Sequence, residues 1–170
     1  MSLLPGTQAP QLLVKTVDND VWELSKQNPV NFVLIIFYRG LHCPICATYL
    51  QDFDKNIKEF NSRGISVISV SGDDKMRAEY AKTTWNIQSL QIGYGQSLSS
   101  MRDWGLYVST SIKDSEPADF AEPALFLIKP SGEIFYAALT SAPWGRPLTS
   151  DILQGVDYVM ANNTPTRGIA

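Results

Sequence analysis

The longest apolar run in the chain is "FVLIIFY", Phe32 to Tyr38. It is near-continuous and rich in β-branched and aromatic residues, the pattern of a central strand covered on both faces. Before it, "QLLVKTVDNDVWEL" has two short apolar runs flanking Asp18-Asn19-Asp20. Asx residues tolerate turn geometry, so this reads as a β-hairpin. After it, counting from Cys46, apolar residues fall at Tyr49, Leu50, Phe53, Ile57 and Phe60. Steps of three and four predict one face of a helix, stopped at Gly64.

The pattern then alternates. "ISVISVS" predicts a second buried strand, and Asp73-Asp74 caps a helix over about Lys75 to Thr84. "LQIGYG" reads as a short strand, followed by a short helix near Ser97 to Trp104. From Gly105 to Glu122 the composition turns polar, and "STSIKDSEPADFAEP" reads as irregular, a candidate lid or interface loop. "ALFLI", "KPSG" and "EIFYAAL" read as strand, turn and strand. A closing helix is expected over about Thr149 to Met160, with a flexible tail over about residues 162–170. This order predicts a single α/β domain with a mixed central sheet and helices on both faces.

With 170 residues the chain is long enough to bury a core as one domain. Fourteen basic against seventeen acidic residues leave a net charge of -3, which gives no electrostatic footprint for nucleic acid. No apolar run approaches the ~18 residues of a membrane span. The segment "MSLLPGTQAPQLL" lacks the basic and apolar regions of a secretory signal, so a reducing, cytoplasmic setting is expected. In such a setting a close cysteine pair points to redox or metal chemistry rather than a disulfide scaffold.

Both cysteines and the only histidine lie in "FYRGLHCPICATYL". Ligands in open α/β sheets sit beyond the carboxyl ends of strands, and Cys43 and Cys46 occupy that place, between a central strand and a helix. A thiolate there faces unpaired backbone N–H groups and the positive end of the helix dipole, which lower its pKa. Pro44 suits the first helical turn, where its missing N–H would be unpaired anyway. Cysteines three apart across a helix start can close a reversible disulfide. Structural zinc takes four ligands, and two cysteines with an adjacent His42 do not supply them. Core packing suits Cys46, on the apolar helix face, better than Cys43, in the loop. His42 either tunes a thiolate or is a loop histidine contacting solvent or backbone. Arg39 closes the strand, where its charge either stabilises a thiolate or bound peroxide oxygens or lies at the surface.

From "LLPGTQAPQL" through "GRPLTSDIL" the chain resembles the peroxiredoxins of the alkyl hydroperoxide reductase/thiol-specific antioxidant family, in the thioredoxin superfamily. The resemblance implies a thioredoxin-like fold with an N-terminal β-hairpin. In that family a buried strand ends in an aromatic-Pro pair followed by Thr-x-x-Cys. The overlay puts Cys46 on the peroxidatic cysteine, Cys43 on the threonine, Arg39 on the proline and Tyr49 on a following glutamate. "EPALFLIKPSGEI" is similar to the thioredoxin segment that carries a cis-proline beside the active site, which would make Pro123 that residue. "SAPWGRPLTSDIL" resembles a Gly-Arg-Ser segment and places Arg146 on a family arginine. The family threonine and proline are absent, as is the arginine usual at the Pro123 position.

Two enzymatic readings follow. In a thiol peroxidase acting on hydrogen or organic peroxides, Cys46 attacks the peroxide and Cys43 resolves the sulfenic acid as a Cys43–Cys46 disulfide. Arg146 and Arg39 assist, and a thioredoxin-like or low-molecular-weight thiol reduces the product. In a thioredoxin-type thiol-disulfide oxidoreductase, Cys43 attacks a partner protein's disulfide and Pro123 helps to bind its extended chain. His42 and Pro44 flank the substrate approach in both. A non-enzymatic redox sensor is a third reading. None requires a metal or cofactor, and the resemblance implies a possible homodimer.

Overall fold

The computed structural model describes residues 3–169. One strand, β3 (Phe32–Phe37), ends just before the loop that opens one helix, α1 (Pro44–Lys55). The hairpin forms as β1 (Leu13–Thr16) and β2 (Val21–Glu23), and its turn sets Asn19 at a φ of 65°. The parallel core is β3, β4 (Ile65–Val70) and β5 (Gln91–Tyr94). Beyond β3 lie β8 (Ala124–Ile128) and β9 (Ile134–Leu139), both antiparallel to their neighbours. The seven-stranded order is β2-β1-β5-β4-β3-β8-β9.

All six residues of β3 are buried, because its alternate side chains feed two cores. Phe32, Leu34 and Ile36 pack with Cys46, Leu50, Phe53 and Phe60, and with residues of α3 (Lys75–Thr84) and α5 (Thr149–Asn162). Val33, Ile35 and Phe37 pack instead with Leu12, Trp22, Phe126 and Met101 and Trp104 around α4 (Leu98–Asp103). Helices therefore flank both faces, with the longer ones on the Cys46 side.

Two expectations need correction. The helix expected from the cysteines to Gly64 is two helices, α1 and α2 (Ile57–Ser62). Asn56 interrupts it, because its side-chain amide donates to the Asp52 carbonyl (2.8 Å) and competes with the helical ladder. The polar stretch 105–122 is not wholly irregular either. It contains a two-stranded ribbon, β6 (Val108–Thr110) antiparallel to β7 (Asp119–Ala121). Phe120 in β7 is 1% exposed, packed against the His42 ring and the Arg39 guanidinium, and its burial outweighs the polar composition around it. In the tail, Thr166 donates to the Glu133 carboxylate (3.0 Å), while Ala170 lies outside the described residues. Among the described residues no helix is long and apolar enough to cross a membrane.

Candidate active site

β3 ends at Phe37, and Gly40 then turns the chain with a φ of +126°, a conformation that L side chains rarely adopt. Cys43 caps α1 and Pro44 opens it, as the missing proline N–H permits. The Cys43 sulfur accepts the Cys46 amide (3.2 Å), so the first turn folds around the pair. The two cysteines form a disulfide, with Cα atoms 5.2 Å apart, inside the bridging range. Both are essentially buried, at 1% and 0% exposure, while Pro44 and Ile45 between them are exposed.

Arg146 is the cation that reaches the sulfurs. It lies one hundred residues from Cys46 in sequence, yet its Nη1 donates to Cys46 Sγ at 3.7 Å. Its guanidinium stacks over Tyr49, 4.1 Å from the ring centre, and the Tyr49 hydroxyl donates to the Pro147 carbonyl (2.7 Å). Tyr49, standing where the family overlay puts a glutamate, thus holds both the arginine and its loop. Burial pushes the Tyr49 phenol up, with Arg146 opposing, and burial lowers the Arg146 pKa. A guanidinium remains charged at neutral pH regardless. Beside Arg146 runs an apolar groove of about 560 Å³ between β9 and α5, lined by Leu139, Ile152 and Val156 among others.

Arg39 goes elsewhere. Its polar partners among the described residues are carboxylates: Glu122 at 3.2 Å and Glu116 at 3.8 Å. Its guanidinium stacks on Phe120 at 4.7 Å. Glu122 also accepts from the Ser109 hydroxyl (2.7 Å), and the Ile112 amide holds the Glu116 carboxyl below its usual range. Arg39 therefore ties the cysteine loop to the β6–β7 ribbon. His42 joins the same cluster, its ring 4.6 Å from Phe120. Both ring nitrogens are buried without a hydrogen-bond partner, so neither solvent nor backbone takes them. Burial first, and then Arg39, lower its pKa and favour the neutral imidazole.

Pro123 lies at the same end of the sheet, one residue before the Phe37–Ala124 pair. Its peptide bond is trans, as are all those described, which corrects the cis expectation. Its carbonyl accepts from the Thr140 amide (3.0 Å) and, more loosely, from the Thr140 hydroxyl (3.3 Å), closing the strand end. The fold thus brings Cys43, Cys46, Pro44 and Arg146 together and sets Arg39 with His42 in a neighbouring cluster. Sequence reasoning missed Tyr49 as a support for Arg146, and missed Asp73, whose buried carboxylate accepts the Leu41 amide (2.7 Å). The adjacent acids at 73 and 74 were a signal that one of them had work besides capping α3.

Comparison with known proteins agrees with this geometry. The AhpC/TSA family model matches residues 5–137. Alkyl hydroperoxide reductase C of Helicobacter pylori is 28% identical over 160 residues, covering 93% of this chain and 78% of the relative. Thiol peroxidase of Campylobacter jejuni is 26% identical over 136 residues, covering 80% and 73%. In fold, the chain is similar to Mycobacterium tuberculosis AhpC, with a TM-score of 0.76 at 16% identity, covering 94% of this chain and 99% of that one. The reduced 2-Cys peroxiredoxin of Plasmodium vivax gives 0.75 at 20%, covering 95% and 84%. Spanning this much of the family's length with its strand-cysteine-helix core, the chain belongs to the AhpC/TSA family, as a peroxiredoxin-like member of the thioredoxin superfamily.

Proposed function

We propose that the protein is a thiol peroxidase in which Cys46 is the first nucleophile and Cys43 the resolving cysteine. One observation carries the order of attack: the only cation within reach of either sulfur among the described residues, Arg146, contacts Cys46. A positive charge at 3.7 Å favours the thiolate over the thiol, and the N-terminal turn of α1 adds unpaired amides and the dipole. Arg146 also stands where the departing oxygen of a peroxide gathers negative charge. The alkyl portion of an organic peroxide lies along the groove beside Arg146. Pro44 and His42 border the approach from the loop side, and Arg39 supports that loop through Glu122.

The disulfide product is returned to the dithiol by a thioredoxin-like or low-molecular-weight thiol. A cytoplasmic setting and a homodimer belong to the same reading, the second testable by light scattering. The Cys-Pro-Ile-Cys spacing favours one competing activity, reduction of partner-protein disulfides with Cys43 attacking. The test mixes reduced protein separately with hydrogen peroxide and with insulin. Rapid peroxide consumption with slow insulin reduction is expected. Rapid insulin reduction without peroxide consumption would instead assign the thioredoxin-type activity.

A further inference from the structure

Asp73 follows β4 and precedes α3, and its side chain is 0% exposed. Capping of α3 does not need it, because Asp74 accepts the Arg77 amide at 2.9 Å. Instead one Asp73 oxygen accepts the Leu41 amide at 2.7 Å and the other takes Arg77 Nε at 2.8 Å. Gly40 fits against it so closely that a Cβ there would lie 2.8 Å from both oxygens. Burying a carboxylate costs desolvation free energy, offset here by a charged partner and a backbone donor. The backbone donor belongs to the loop that leads to the cysteines. The next link is direct: the Cys43 amide donates to the Gly40 carbonyl at 3.1 Å. Asp73 thus reaches Cys43 through Leu41 and Gly40, whereas Arg146 contacts the other cysteine, Cys46.

We infer that Asp73 is a positioning residue for Cys43, holding it in the approach to Cys46 that closes the disulfide. The kinetic part of this inference rests on the peroxidase reading. In the first step the Cys46 thiolate, a peroxide and a proton give Cys46 sulfenic acid and an alcohol (water, for hydrogen peroxide). In the second, the Cys43 thiol displaces water from that sulfenic acid, and an S–S bond replaces the S–O bond. Asp73 acts on the second step, because a held thiol attacks at a higher effective concentration than a mobile one. A slower second step leaves the sulfenic acid to a second peroxide molecule, which oxidises it to sulfinic acid.

The test uses the full chain with Asp73→Ala and Asp73→Asn. The asparagine keeps an oxygen for the Leu41 amide but turns an N–H donor toward Arg77. Reduced proteins are equilibrated in glutathione buffers, and the Cys43–Cys46 disulfide is quantified. Asp73→Ala is expected to lower the equilibrium constant for disulfide formation about tenfold, or about 30 mV for this two-electron couple. Asp73→Asn, which retains the loop acceptor, is expected to lose less. In hydrogen peroxide, the fraction of Cys46 trapped as sulfinic acid rises several-fold in Asp73→Ala. A general loss of structure would not separate the two steps in this way. If Asp73→Ala does not fold, Asp73→Asn decides by the same readouts. A wild-type glutathione equilibrium in the deciding variant overturns the inference. The glutathione measurement involves no peroxide, so a wild-type protein that fails to consume peroxide overturns the peroxidase reading alone.

Discussion

Cys46 and Cys43 are one turn apart, yet the molecule holds them by different chemistry. The Cys46 side is built on regular structure: α1 beneath it, Tyr49 one turn on, and Arg146 brought in just ahead of α5. The Cys43 side is a loop fixed by charges that do not touch sulfur: Asp73, paired with Arg77, holds the Leu41 amide, and Arg39 pairs with Glu122 and Glu116. On the proposed order of attack, the first side makes a thiolate reactive and the second delivers a second sulfur to the same place. Damage to the two sides should therefore show up in different measurements.

The largest effect expected is on stability, from Glu122→Gln. It replaces the nearer of the two Arg39 carboxylates by a neutral amide, leaving Glu116 at 3.8 Å, in a site where Glu122 is 4% exposed. Breaking a buried ion pair from one end costs about 3 kcal/mol, read as a lower denaturant midpoint. The first reaction of Cys46 with peroxide should change far less. Arg146→Ala should do the reverse. Losing a charge-assisted donor at the reacting atom slows the reaction with peroxide about 100-fold in stopped-flow measurements at neutral pH, and Arg146→Lys restores part of it. If Arg146→Ala unfolds the protein while leaving the folded fraction fully active, the division between the two sides fails.

Smaller effects sharpen the comparison. Tyr49→Phe removes the hydrogen bond to the Pro147 carbonyl and should cost about 1 kcal/mol, with a modest loss in peroxide rate because Arg146 loses a support. His42 gives a pH signature. Its imidazole pKa is lowered in the fold by burial and by Arg39, with Asp73 and Glu116 opposing. The unfolded chain therefore binds the proton first, and stability present above the ordinary value of 6.5 is lost as pH falls below it. His42→Asn should flatten the dependence of the thermal midpoint on pH in that window. Equal slopes in the two proteins would place the acid sensitivity elsewhere.

The parts of this site legible in sequence were those written in local pattern. "FVLIIFY" followed by Cys-Pro-Ile-Cys specified a buried strand, a loop and a capped helix, because periodicity and capping act over a few residues. The hairpin and the Asp74 cap were legible for the same reason. The β6–β7 ribbon was not, since three-residue strands paired across a polar turn leave almost no periodic signal. Nor could the chain order reveal that Arg39 faces Glu122, or that Asp73 crosses thirty-two residues to the Leu41 amide. Arg146 came from family resemblance, and its sulfur contact from a separation of one hundred residues. Pro123 shows the opposite risk, where a segment similar to a cis-proline motif carries a trans bond.

The central claim is that Cys46 attacks and Cys43 resolves. It is tested most directly by treating reduced Cys43→Ser and Cys46→Ser with one equivalent of hydrogen peroxide and trapping sulfenic acid with a dimedone-type reagent. The account predicts stoichiometric sulfenic acid on Cys46 in Cys43→Ser, and neither rapid peroxide loss nor adduct in Cys46→Ser. Rapid sulfenic acid formation on Cys43 in Cys46→Ser, with an inert Cys43→Ser, would contradict it.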